Sequence, residues 1–196
     1  FDEFFGYVGT SHAHNFYPEW LLDGTDSMRT RNVVPGANRK GAGRATTRLD
    51  YAPSLIRDRA FAFVRRNRSR PFFLYWATNL PHINNEGSRG HADGGYEVPS
   101  LGAYADRPWP EAKKSYAAQV SLLDSHLGEL RTLLDSLGIA ERTIVIFLSD
   151  NGATFLHRAH DVEEHLLALA AHHRVDPRRF FQHLRVHEGA VDAAQH

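Results

Sequence analysis

Asp150 and Asn151 stand side by side in Ser149-Asp150-Asn151-Gly152, directly after the apolar stretch Thr143 to Leu148. A carboxylate beside a carboxamide offers hard oxygen donors, which suit Ca²⁺ or Mg²⁺ rather than a thiophilic metal. The same four residues also suit a β-turn with a helix-capping Asp, and spacing alone favours that turn. Two ligands do not fill a shell of about six to eight oxygens, so a metal there needs partners from elsewhere. His82 is the second candidate, because Pro81-His82 follows the apolar run Pro71 to Ala77. An imidazole so placed can donate a hydrogen bond to an anionic ester or protonate a leaving oxygen. Taken alone, such a residue is more often a loop His with a structural hydrogen bond. His12 and His14 alternate in Ser11-His12-Ala13-His14, which on a strand puts both on one face. Such a pair is by itself more often structural than metal-binding.

Several other chemistries find no support. His160, Glu164 and His165 miss the HExxH and HxxEH zinc spacings, and His187-Glu188 has no second His four residues after the first. There is no GxSxG nucleophile elbow, no Gly-rich phosphate loop, and no Cys for a thiol nucleophile or a CxxC zinc site.

The elements that must hold these residues can be read from periodicity. Pro53 suits the first turn of a helix, and Leu55, Ile56, Ala60, Phe63 and Val64 keep to one helical face until Asn67. Arg65, Arg66, Arg68 and Arg70 crowd its end, where positive charge complements the helix dipole. Val120, Leu123, Leu127, Leu130, Leu134 and Leu137 recur at steps of three and four, which predicts a second amphipathic helix over 116–137, with Gly138 as its C-terminal cap. The runs PFFLYWA (71–77) and TIVIFL (143–148) read as strands buried on both faces, as in a parallel sheet covered by helices. The expected class is therefore α/β, with Asp150, Asn151 and His82 at the carboxyl edge of the sheet, where ligands of open α/β sheets bind. The Gly-rich stretch 21–50 reads as a long loop or β-hairpin insert, and 81–110 as a long loop of the kind that carries function.

Composition sets the outer bounds. At 196 residues, 42% hydrophobic and 23% charged, the chain suits one ordinary globular core. Basic and acidic residues balance at 23 each, so no global positive field draws it to nucleic acid. No apolar run reaches the roughly 18 residues of a membrane-spanning helix. Eight of the thirteen His lie from His157 onward, in an Ala/Leu/His/Arg-rich tail where short helices are plausible. The first residue is Phe1, so a leader segment is not to be judged from this start.

Taken in order, Phe1-Asp2-Glu3-Phe4-Phe5-Gly6-Tyr7, His12-Ala13-His14-Asn15-Phe16-Tyr17-Pro18, Pro71 to Tyr75 leading to Pro81-His82-Ile83-Asn84-Asn85-Glu86, and Thr143 to Gly152 resemble the arylsulfatase family. The likeness runs to about Ala153, and several motifs in the right order make it far more specific than any one of them. It implies the alkaline-phosphatase-like α/β fold, here incomplete, with a mixed, mostly parallel sheet flanked by helices. It further implies hydrolysis of sulfate esters by a formylglycine, made from Cys or Ser, beside Ca²⁺ or Mg²⁺. Asp150 and Asn151 would then be metal ligands and His82 a sulfate contact, and Ser11 matches a substrate-contacting Ser of some members. The implied substrate is a small sulfate ester or a sulfated glycan, and the implied location is periplasmic or secreted.

The departures are as definite as the matches. The CxPSR-type nucleophile motif, the early Asp pair for the metal and the GKWHLG-like segment do not occur in this chain, and no Lys follows Lys114 to match the family's Lys in a YEGG-like motif. The sequence thus divides into a partial sulfatase catalytic domain, 1–153, and a divergent or frameshifted helical His-rich tail, 154–196. Without the nucleophile region the chain is expected to be inactive alone. The alternatives are a related phosphoryl-ester hydrolase of the same superfamily and a non-catalytic metal-binding fragment.

Overall fold

In the computed structural model, which describes residues 1–37 and 41–149, the chain first pairs as β1 (Phe5–Gly6), forms the one-turn helix α1 (Thr10–Ala13), and returns as β2 (Trp20–Asp23) and β3 (Asp26–Arg29). Asp23 pairs with Asp26, leaving Gly24 and Thr25 as a two-residue hairpin loop. The first position of such a loop demands a positive φ, and Gly24 has φ +63°. The sheet is antiparallel throughout, in the order β1-β2-β3. It realises the hairpin expected within 21–50.

Helix α2 spans Ala52–Asn67 with Pro53 in its first turn, and α3 spans Glu111–Ser136. Pro110 is the N-cap of α3, whose first residue Glu111 lies five residues ahead of the start that the apolar period suggested. Beyond α3, Gly138 takes φ +66° and lets the Ile139 N–H reach the Leu134 carbonyl at 3.1 Å, closing the helix as expected of a C-terminal Gly. The two helices and the segment after α2 enclose a cluster of Ala60, Phe61, Val64, Leu130, Leu133, Leu134 and Ile139, with Phe72, Leu74 and Trp76 against it. A second cluster joins Phe16, Tyr17, Val34, Ala45, Tyr51 and Leu80.

The expected parallel sheet has no counterpart among the described residues. Residues 71–77 carry no strand pairing, and their side chains alternate: Phe72, Leu74 and Trp76 face the helical cluster, whereas Phe73 and Tyr75 are 73% and 71% exposed. A strand buried on both faces needs cover on both, and α2 and α3 cover one. The chain divides into two compact units, Phe1–Ile144 and Val145–His196. In the second, Val145 to Ser149 has no regular secondary structure, and Val145, Ile146, Phe147 and Leu148 are exposed rather than buried in a strand. The tail 154–196 lies outside the described residues. Among those described, no helix is long and apolar enough to cross a membrane.

Candidate functional site

For Ser11, His12 and His14 the sequence offered extended chain, on which the two imidazoles would share a face. They lie instead on or just after the single turn of α1, and a helical turn sends residues two apart to different sides. His12 turns inward and is 1% exposed. Its Nε2 donates to the Trp20 carbonyl at 2.9 Å, and its Nδ1 accepts from the Val8 N–H at 3.3 Å. Burial holds its pKa below the ordinary value, partly offset by the Trp20 carbonyl. The ring packs edge-on to Tyr7 and lies on the backbone of Gly41, where a Cβ would stand 2.5 Å from His12 Cδ2. Glycine at 41, with φ +77°, is thus required by both conformation and contact. His12 is a structural residue.

His14 turns the other way and meets His82. The two rings stack with centroids 5.1 Å apart and planes 7° from parallel. Glu86 lies 2.9 Å from His14 Nδ1, and the Asn85 side-chain nitrogen 3.3 Å from His14 Nε2. His82 itself is exposed, and its Nδ1 is 2.7 Å from the Ile83 carbonyl oxygen. A carbonyl only accepts, so Nδ1 carries the proton and Nε2 is left to meet a ligand. Asn79 draws this loop onto α1 by donating to the Ala13 carbonyl at 2.6 Å. The structure therefore joins His82 to the α1 turn that carries Ser11.

Under the loop lies a buried polar network that no periodicity announces. Glu97 and Asn84 are both 0% exposed. Glu97 accepts from Asn84 Nδ2 at 2.8 Å and pairs with Arg48 at 2.6 Å. Asn84 also donates to the Gly43 carbonyl at 2.8 Å and accepts from the Gly87 N–H at 2.9 Å. Gln119 and Tyr51 both donate to the Glu97 backbone carbonyl, tying α3 and the start of α2 to the loop. Desolvation raises the Glu97 pKa above its ordinary value against the pull of Asn84, Arg48 and Arg44. Burial by itself would raise Asp93 too, but Arg44, 2.5 Å away, and the Gly95 N–H hold it below the ordinary carboxyl range. Tyr17 is pushed up to about 12 by burial, with Arg48 opposing. An open cleft of about 330 Å³ beside the network is lined by Arg48, Asp93, Tyr96, Ser100, Glu111 and Ser115, and reaches neither His82 nor His14.

Of the predicted site, His82 and Ser11 are thus described, while Asp150 and Asn151 lie outside the described residues. Among the described residues no group of three or more His, Cys, Asp or Glu is disposed to hold a metal ion. Sequence reasoning assigned no role to Glu86, Asn84 or Glu97. The polar triplet Asn84-Asn85-Glu86, one residue past the Pro81-His82 step, was the available signal.

Comparison with known families matches residues 1–176 to the sulfatase family, so that the chain belongs to that family and to its alkaline-phosphatase-like α/β fold. The match extends past Ala153, where the motif likeness ends. Individual relatives agree. The chain is similar to N-acetylgalactosamine-6-sulfatase of Canis lupus familiaris, 34% identical over 101 residues that cover 50% of this chain and 16% of that protein. It is similar to steryl-sulfatase of Mus musculus, 36% identical over 99 residues covering 50% and 13%, and to human arylsulfatase A, 31% identical over 87 residues covering 44% and 14%. The matched stretch thus spans between 13% and 16% of the length of these relatives.

Proposed function

We propose that this chain is the sulfate-recognising portion of a sulfate-ester hydrolase, acting on a small sulfate ester or a sulfated sugar. The observation that carries this reading is the state of His82, an exposed imidazole whose Nδ1–H is committed to the Ile83 carbonyl and whose Nε2 is left to face an anion. When Nε2 takes a proton it becomes a donor to a sulfate oxygen and adds a positive charge, which a charge-assisted hydrogen bond rewards. Ser11 would add a neutral hydroxyl contact from α1. Asp150 with its carboxylate and Asn151 with its carboxamide oxygen have the donor chemistry to hold Ca²⁺ or Mg²⁺. Bound there, such an ion would supply positive charge against the ester's oxygens.

The formylglycine that the family resemblance implies needs a Cys or Ser in a CxPSR-type setting. The chain has no Cys, and none of its Ser stands in such a setting, so no residue of it is assigned the covalent step. The test is a titration of the 196-residue chain with inorganic sulfate, followed by the His82 ring resonances, alongside an assay with an aryl sulfate. Sulfate should bind at His82, His82→Gln should abolish the binding, and turnover should stay at background. Sulfate binding unchanged in His82→Gln would overturn the recognition role. Turnover that disappears in Asp150→Ala would show that this chain holds its own nucleophile.

A further inference from the structure

We propose that His14 is a positioning residue for His82, locked as its Nδ1–H tautomer between Glu86 and Asn85 and presenting a neutral ring on which the sulfate-binding imidazole is stacked. This deepens the sulfate-binding reading of His82 and rests on it.

The proton arrangement follows from what each partner is able to do. A carboxylate only accepts, so the proton in the 2.9 Å contact of Glu86 with His14 sits on His14 Nδ1. A carboxamide nitrogen only donates, so His14 Nε2, 3.3 Å from Asn85 Nδ2, carries the lone pair. With Nδ1–H given to Glu86 and the Nε2 lone pair to Asn85, both ring nitrogens are engaged, which is the neutral tautomer proposed. Its side chain is 15% exposed, against 36% for Glu86, which makes it a support covered by its neighbours rather than a group offered to solvent.

Neutrality matters because of the stack. His82 lies 5.1 Å away and nearly parallel. When His82 takes up a proton to meet a sulfate, a neutral aromatic face beside it accommodates the charge, whereas a second imidazolium would repel it. The stack and the Ile83 carbonyl together fix the ring plane, so that Nε2 need not be ordered on binding. Glu86 is four residues from His82, so one loop supplies both the anion contact and the carboxylate that sets its support.

The first measurement needs no substitution. Long-range ¹H–¹⁵N spectra of the 196-residue chain should show His14 with a protonated Nδ1 and a bare Nε2, and a reversed tautomer or a doubly protonated ring would overturn the proposal. The second is a titration with inorganic sulfate. His14→Leu and Glu86→Leu should each weaken sulfate binding about fivefold, the worth of one ordinary hydrogen bond, while Glu86→Gln, whose amide oxygen still accepts from Nδ1, should bind within about twofold of wild type. If His82→Gln abolishes binding but His14→Leu and Glu86→Leu leave it unchanged, the positioning role fails and the sulfate site stands. If His82→Gln leaves binding intact, the sulfate reading fails first.

Discussion

The two ends of the segment that follows α2 are held by opposite means. At 71–77, Phe72, Leu74 and Trp76 settle against Ala60, Phe61, Val64 and the leucines of α3, a contact made by apolar area and tolerant of exact geometry. Past Asn79 the chain is fixed by directional bonds: Asn79 to the Ala13 carbonyl, Asn84 to Gly43, Gly87 and Glu97, and Glu97 to Arg48. The candidate site sits on the second kind of ground. Apolar packing anchors the helices, but aiming an imidazole within a few tenths of an ångström takes bonds whose donors and acceptors have direction.

This contrast is open to direct attack. The largest loss is expected from Leu134→Ala, which empties part of the helical cluster and should cost about 3 kcal/mol in urea unfolding. A loss under about 1 kcal/mol would mean that the cluster repacks and that area is not what holds it. Asn84→Ala should cost about 2 kcal/mol, because it removes the side-chain partner of the part-buried Gly43 carbonyl and of one buried Glu97 oxygen at once, and leaves the Gly87 N–H only its bond to the residue 84 backbone carbonyl. Unlike the leucine variant it should also disturb the His82 and His14 resonances in the folded protein. If those resonances stay where they are, the network does not position the site.

The smallest effect is one of pH. Glu97 is raised by desolvation, so the folded protein retains its proton where the unfolded chain, with a Glu value of about 4.3, has released it. Its contribution to stability is therefore complete below that value and is lost as pH rises through the raised folded one. Glu97→Gln carries no such proton, and the stability of wild type relative to this variant should fall as pH rises across that window. A difference that grows with pH would put the ion pair with Arg48 ahead of desolvation.

Which parts were legible follows from the same contrast. Periodicity found α2 and α3 because an apolar stripe repeats every three to four residues, and Gly138 marked its own cap. The runs at 71–77 and 143–148 were read correctly as apolar, but composition carries no information on what stands beside a segment, and burial on both faces did not follow. An alternating tetrapeptide does not distinguish extended chain from one helical turn, so Ser11-His12-Ala13-His14 left open which faces His12 and His14 take. The Asn84 and Glu97 network has no period at all. Asn84 reaches Glu97 and Gly43 across 13 and 41 residues, spacings that only the folded chain brings together.

The exposed stretch from Ile144 to Leu148 has a consequence for anyone who purifies this chain. Thr143 to Leu148 is six residues of β-branched and aromatic character with neither charge nor proline, the composition from which cross-β fibrils nucleate. Arg142 and Asp150 bracket it as charged gatekeepers. The aspartate read as a metal ligand is thus also expected to restrain self-association, and Asp150→Ala should form fibrils at lower protein concentration than wild type. A loss of binding in that variant is interpretable only once light scattering shows that the chain is still dispersed.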